Sequence, residues 1–150
     1  PTALCLSRQN LPFVARDAAT IANIARGGYV ISEARGGKPK AVIIATGSEV
    51  DIALKAQAAM EAEIPVRVVS MPSTNVFDRQ DAAWRDSVLP RGVPRVAIEA
   101  GASDGWYKYV GLDGVVIGLD RFGESAPAGQ LFKEFGFTAG NVVKAVEKLI

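Results

Sequence analysis

The sequence predicts an α/β fold: a three-layer open mixed sheet of about five strands, mostly parallel with one antiparallel edge strand, and helices on both faces. The first observation is that short β-branched runs alternate with segments of helical periodicity along the chain. The second is "KAVIIATG", a nearly continuous apolar run typical of a strand buried on both faces. With 150 residues, of which 49% are hydrophobic, the chain can bury the core of one such domain.

In the first half of the chain, the apolar run at 3–6 is interpreted as a strand that ends in a polar loop. A short helix is expected over 18–25, followed by a strand in "YVISEA" that would form the antiparallel edge over 29–33. The glycines of "RGGKP" predict a tight turn with positive φ, and hence a hairpin that leads into "KAVIIATG". Apolar spacing predicts a helix over 48–63, which Pro65 would end.

The second half continues the alternation. The remaining expected elements are a strand in "VRVVSMPS", a helix in "DRQDAAWRDSVLP", a strand in "RVAIEAG", a helical segment over 106–109, a strand in "GVVIGLDRFG", and helices over 126–134 and 139–149.

Composition excludes several function classes. The formal net charge is +1 with interspersed signs, so neither a nucleic acid nor a membrane surface is an expected partner. The single cysteine, Cys5, allows no internal disulfide and favours a reducing, cytoplasmic setting. The sequence contains no histidine, which excludes a self-contained histidine triad or zinc site. Carboxylate-only chemistry remains possible, but the acids lie mostly in helical surface patterns and form no convincing pair, so no catalytic residue and no metal ligand set is expected within this chain.

The motif "ATGSEV" lies where a strand meets a helix. Free backbone N–H groups at such a helix start can bind an anion, which makes Gly47 and Ser48 candidate anion-binding residues. The favoured interpretation is structural, because Ser48 and Asp51 fit a capping box in which aspartate replaces the usual glutamate.

Two further motifs are interpreted mainly as structure. In "EAGASDGWYKYVG", Trp106, Tyr109 and Val110 have helical spacing and are expected in the core, with a subunit interface or a ligand site as alternatives. In "FGESAPAGQLFKEFGF", Ser125 can cap a helix and Pro127 fits its first turn. Glu124 is the only tempting catalytic acid there, and a capping or salt-bridge role is preferred.

The motif "LSRQN" places Arg8 just after the end of the first expected strand. Ligand-binding groups gather at the carboxyl ends of strands in parallel α/β sheets, and a guanidinium group suits bidentate phosphate recognition. An ordinary surface ion pair explains the position equally well.

Over essentially all of its length the chain resembles the C-terminal end of transketolase. The resemblance rests on ordered matches to "LSRQN", "IARGGYV", "IATGSEV", "VRVVSMPS", "FDRQD", "VLP", "EAG", "WYKYVG", "FGESAPA", "LFKEFGFT" and "NVV". It implies that residues 1–12 are a remnant of the preceding pyrimidine-binding domain, including its last strand, and that residues 13–150 are the transketolase C-terminal α/β domain.

The resemblance also implies a function for the parent enzyme. Such an enzyme transfers a two-carbon ketol unit from ketose phosphates to aldose phosphates in the pentose phosphate pathway. It works as a homodimer with thiamine diphosphate and a divalent metal, magnesium or calcium. Arg8 would bind the phosphate of the sugar-phosphate substrate. The family's cofactor and metal groups lie upstream, so this chain alone is expected to hold neither, to be inactive, and to act mainly as a structural, dimer-supporting domain.

Alternatives from other classes remain open at this stage. One is a free-standing regulatory module that binds an anionic metabolite through Gly47 and Ser48. Another is an interaction domain whose aromatic residues serve dimerisation only. A third is a related thiamine diphosphate enzyme, such as dihydroxyacetone synthase or deoxyxylulose phosphate synthase.

Overall fold

A computed structural model describes residues 2–150. Its centre is a five-stranded sheet in the order β1-β3-β2-β4-β5. The strands are β1 (Tyr29–Ser32), β2 (Ala41–Ala45), β3 (Val66–Ser70), β4 (Arg95–Ile98) and β5 (Val115–Ile117). β1 runs antiparallel to β3, and the other neighbours are parallel. The predicted mixed sheet with one antiparallel edge strand is confirmed.

Helices connect and cover these strands. They are α1 (Ala18–Ile24), α2 (Glu49–Met60), α3 (Thr74–Asp78), α4 (Ala82–Val88), α5 (Tyr107–Val110), α6 (Ala128–Glu134) and α7 (Ala139–Leu149), with short 3-10 turns at Arg35–Gly37 and Asp104–Trp106. Six of these helices match expected segments to within a few residues, and α3 was not anticipated. Ser73 caps α3, because its hydroxyl accepts a hydrogen bond from the backbone N–H of Val76.

The two faces of the sheet bury separate cores, which gives the predicted three layers. On one face, side chains such as Ile43, Val68 and Ile98 pack with α2 and α7. On the other face, β-strand side chains pack with α3, α4 and α5. Trp106, Tyr109 and Val110 are buried in this second core, which confirms the core interpretation of "WYKYV".

The expected hairpin between β1 and β2 is wrong. β1 pairs instead with β3, with Tyr29 opposite Ser70. The turn does contain two glycines with positive φ, 75° at Gly36 and 70° at Gly37, yet the chain crosses over β3 before it enters β2. A physical reason lies just beyond β1, where the Glu33 carboxylate accepts hydrogen bonds from Nε (2.9 Å) and Nη2 (2.8 Å) of Arg67 on β3. This bidentate pair holds the end of β1 against β3.

The strand expected at 3–6 is also wrong, since residues 2–17 contain no helix or strand in the structure. A strand needs a hydrogen-bonding neighbour, and no strand of the sheet pairs with this segment. Its apolar side chains are consequently exposed, 77% for Leu4 and 80% for Leu6.

Two predicted helix caps are wrong as well. Ser48 has helical backbone angles (φ −66°, ψ −27°) and makes no side-chain cap, whereas a capping serine needs an extended backbone. Its hydroxyl donates to the Oε1 atom of Glu49 at 2.6 Å instead. Ser125 does not cap either, because α6 begins one residue after Pro127, which holds the cap position.

Candidate functional site

A groove of about 570 Å³ lies near the carboxyl ends of β2 and β3. One wall comes from the N-terminal segment and the other from the turn after β2 and the start of α2. It is lined by Leu11, Pro12, Phe13, Val14, Arg16, Ile24, Tyr29, Gly47, Ser48, Val50, Asp51, Ser70 and Pro72. Open parallel sheets usually bind ligands at the carboxyl ends of their strands.

Arg16 fixes the N-terminal segment along this groove. Its Nε donates to the hydroxyl of Tyr29 on β1 at 3.1 Å, and its Nη1 donates to the carbonyl oxygen of Val14 at 3.0 Å. Tyr29 is itself only 2% exposed, so the anchor belongs to the folded sheet. Arg16 thus attaches the segment before residue 18 to the domain, although the segment forms no regular structure.

Gly47 and Ser48 both line the groove, at the turn that leads into α2. Gly47 has φ +54°, a conformation that glycine adopts readily. The first turn of α2 already holds two carboxylates, those of Glu49 and Asp51. The negative charge of such carboxylates already interacts with the positive end of the helix dipole and repels an added anion. The turn is therefore less suited to anion binding than the sequence pattern alone indicates.

Glu49 is a buried acid that the sequence reasoning missed, with only 4% of its surface exposed. Burial raises the pKa of its carboxyl group, while hydrogen bonds from Ser48 and from the backbone N–H of Ala100 act in the opposite direction. The nearby charge of Glu99, which follows β4, raises the pKa of Glu49 further. In the sequence, Glu49 is one of several polar residues of a helix predicted to be amphipathic, and such residues are expected at the exposed face. Only its position directly after a turn could have indicated burial.

Other polar groups at this edge have structural partners. The indole Nε1 of Trp106 donates to the carboxylate of Glu99. Asp120 accepts hydrogen bonds from the backbone N–H of Ser103 at 2.8 Å and from its hydroxyl at 2.7 Å, and these bonds lower the pKa of Asp120. Glu124 pairs with Arg121, which confirms the salt-bridge role preferred for that acid. These partners leave no assembled acid–base pair aimed at the groove.

Arg8 lies outside the groove, on the exposed N-terminal segment. The structure therefore brings Gly47 and Ser48 together and leaves Arg8 apart from them. No cluster of three His, Cys, Asp or Glu side chains that could hold a metal ion occurs among residues 2–150. Within the same range, no helix is both long enough and apolar enough to cross a bilayer.

The fold and these sites define an open mixed α/β domain with an apolar groove at one sheet edge and no catalytic constellation of its own in the described residues. A family model described as the transketolase-like C-terminal domain matches residues 27–138. The chain belongs to this family.

Relatives extend the match to the whole chain. It is 57% identical over 152 aligned residues to "Transketolase 1" of Escherichia coli, and the alignment covers 100% of this chain and 23% of that protein. Thus the chain spans about a quarter of the length of the curated relatives it matches.

Solved structures agree with the fold. A transketolase from Pichia stipitis in complex with sedoheptulose 7-phosphate superposes with a TM-score of 0.84 and 38% identity, over 95% of this chain and 20% of that chain. A structure described as a split gene transketolase, inactive beta4 tetramer, superposes with a TM-score of 0.67 and 28% identity, over 95% of this chain and 47% of that one.

Proposed function

We propose that this chain is the C-terminal part of a transketolase whose parent protein transfers a two-carbon ketol unit from ketose phosphates to aldose phosphates. In this proposal residues 13–150 are the C-terminal domain and residues 1–12 are the end of the preceding pyrimidine-binding domain. The observation that carries the proposal is the 57% identity that covers 100% of this chain and 23% of a transketolase. The parent would act in the cytoplasm, in the pentose phosphate pathway.

The exposed apolar side chains of the N-terminal segment support this division. Leu4 and Leu6 are 77% and 80% exposed, and Phe13 is 90% exposed. Large apolar side chains grouped on a segment without regular structure are typical of a surface that packs against further protein. In the proposal these side chains pack against the rest of the pyrimidine-binding domain in the parent protein.

Thiamine diphosphate and the divalent metal, magnesium or calcium, would be held outside this chain. The described residues do not fit the metal, because they contain no cluster of three His, Cys, Asp or Glu side chains that could ligate it, and the sequence has no histidine. The chain alone is accordingly proposed to be inactive and to support the fold and the homodimer of the parent. The inactive tetramer reported for a split gene transketolase is consistent with this assignment.

Arg8 is the proposed substrate-binding residue. Its guanidinium group would bind the phosphate of a sugar-phosphate substrate, for which the planar fork of donors is well suited. In the structure of this chain, Arg8 is exposed on the N-terminal segment.

The test is steady-state kinetics of the full-length protein with Arg8→Ala. Loss of a charge-assisted phosphate contact is expected to lower kcat/KM for a ketose phosphate roughly 10- to 100-fold. An unphosphorylated ketol donor should lose far less, because it has no phosphate to bind. Arg35→Ala, which removes another exposed arginine, is the matched control. Equal kinetics for the Arg8 and Arg35 variants would contradict the role of Arg8.

Binding of an anionic metabolite at Gly47 and Ser48 stays a prediction. Glu49 and Asp51 in the same helical turn disfavour it electrostatically. Titration with a pentose phosphate would test it, since a regulatory site there should give saturable spectral shifts confined to residues 47–50.

A further inference from the structure

A second, smaller pocket lies beside the amino end of β4, whereas the groove lies near the carboxyl ends of β2 and β3. Its volume is about 160 Å³. It is lined by Phe77, Asp78, Arg85, Asp86, Leu89, Arg95, Lys108 and Tyr109. None of these residues lines the larger groove, so the two recesses are separate.

The two carboxylates of this pocket already have cationic or hydroxyl partners. Asp78 accepts hydrogen bonds from the Lys108 ammonium at 2.6 Å and from the Tyr109 hydroxyl at 2.9 Å. Burial alone would raise the pKa of Asp78, but these hydrogen bonds outweigh it and the pKa is lowered. Asp86 accepts from Nε of Arg91 at 2.9 Å. The hydrogen-bonding partners of both acids are therefore groups other than the two pocket arginines, although Arg85 attracts Asp78 and Asp86 attracts Arg95 through their charges.

Among the described residues, the hydrogen bonds of the two pocket arginines go to carbonyl oxygens. Arg95 donates through Nη1 to Tyr109 at 2.7 Å and through Nη2 to Leu89 and Pro90, both at 3.0 Å. Its Nε is buried and has no hydrogen-bond partner within residues 2–150. Arg85 makes one long contact, 3.4 Å, to the carbonyl oxygen of Asp78.

An unpartnered buried donor on a charged group is unfavourable, and burial lowers the pKa of Arg95 for the same reason. The buried Nε is out of reach of a ligand, but a negatively charged ligand in the pocket would offset the positive charge of the guanidinium group. The three basic side chains outnumber the two acids, so the pocket retains positive charge after its internal pairs are satisfied.

We propose that this pocket binds a small oxyanion, of the size of phosphate, sulfate or a carboxylate, between Arg85 and Arg95. The volume sets the size limit, because pockets for larger organic ligands usually exceed about 300 Å³. A sugar phosphate is too large for this pocket, which lies by the amino end of β4 and is separate from the groove. The ligand is thus distinct from the substrate whose phosphate Arg8 would bind.

The test is calorimetric titration of the full-length, cofactor-loaded protein with inorganic phosphate. Because Arg8 would itself bind a phosphate, every titration is made in the Arg8→Ala background, which separates this proposal from the proposed substrate site. Arg85→Gln is expected to weaken phosphate binding roughly tenfold or more. Arg79→Gln removes the same charge outside the pocket and should leave binding within about twofold.

Sulfate and acetate titrations identify the preferred oxyanion, and saturable binding of any of the three that depends on Arg85 supports the proposal. Arg95→Gln should abolish binding, but it also removes three carbonyl contacts. Arg85→Gln therefore decides the question if the Arg95 variant does not fold. Absence of saturable binding by all three anions, or equal weakening by the Arg85 and Arg79 variants, overturns the proposal.

Discussion

Gly27 is the position where the structure predicts the largest effect of adding one methyl group. It ends the turn after α1 with φ +82°. A Cβ atom there would lie 2.4 Å from the carbonyl oxygen of Ser73, 2.5 Å from the backbone nitrogen of Phe77 and 2.8 Å from Cβ of Val76. Two of these atoms are backbone, so a side-chain rotation cannot relieve the overlap. The carbonyl oxygen of Gly27 also accepts a hydrogen bond from the Ser73 N–H at 2.9 Å, which couples this turn to the start of α3.

Two independent penalties set the size of the effect of Gly27→Ala. A non-glycine residue in the left-handed region costs about 1–2 kcal/mol. Displacing the start of α3 to make room for the methyl group costs a further 1–3 kcal/mol or so, as overpacking in well-packed regions does. The free energy of unfolding is therefore expected to fall by about 2–5 kcal/mol.

Urea unfolding followed by circular dichroism measures this difference, and Gly36→Ala is the matched control. Gly36 has a similar φ of +75°, but an added Cβ meets no atom within 4 Å. The control thus carries the conformational strain and the same change in the unfolded chain without the overlap. It should lose only about 1–2 kcal/mol. Equal destabilisation by the two substitutions would refute the argument that α3 packs directly on this turn.

Two further predictions concern titrating groups. Burial raises the pKa of Glu49 above its ordinary value of 4.5, so the free energy of unfolding should fall as the pH rises from 4.5 through the folded-state pKa. Glu49→Gln should remove this fall. The same pH dependence of urea unfolding in the unsubstituted protein and the variant would contradict the reasoning. Burial and then the Asp78 carboxylate raise the pKa of Tyr109 to about 12. Asp78→Asn should lower that pKa while leaving it above 10.0, as tyrosinate absorbance against a Tyr109→Phe reference would measure; an unchanged pKa would contradict the contact.

The fold was largely predictable because its strongest sequence signals are local. All of β2 and β3 is buried, and most residues of both strands are β-branched. The partner of β1 was not predictable in the same way. The two glycines favour a turn, but they do not determine whether β1 pairs with β2 or with β3. The pairing with β3 is supported by the ion pair between Arg67 and Glu33, which lie 34 residues apart in the sequence. Such a long-range pair leaves no periodic signal.

The candidate sites were predictable only in part. The pattern at Gly47 and Ser48 indicated a strand-to-helix turn, and the structure places that turn in the groove wall. Glu49 is buried near Glu99 and Ala100, which follow β4, and Ser48 bonds to Glu49 instead of capping α2, so the capping prediction failed. The pocket at Arg95 is assembled from four separate segments, which spacing along the chain cannot reveal.

The central claim is that this chain works as part of a larger transketolase. Intact mass spectrometry of the protein produced from its native gene, together with a ketol-transfer assay on ribose and xylulose phosphates, tests it most directly. We predict a chain several times longer than 150 residues whose ketol transfer depends on added thiamine diphosphate. A native product of only these residues, or a longer product without ketol transfer, would contradict the claim.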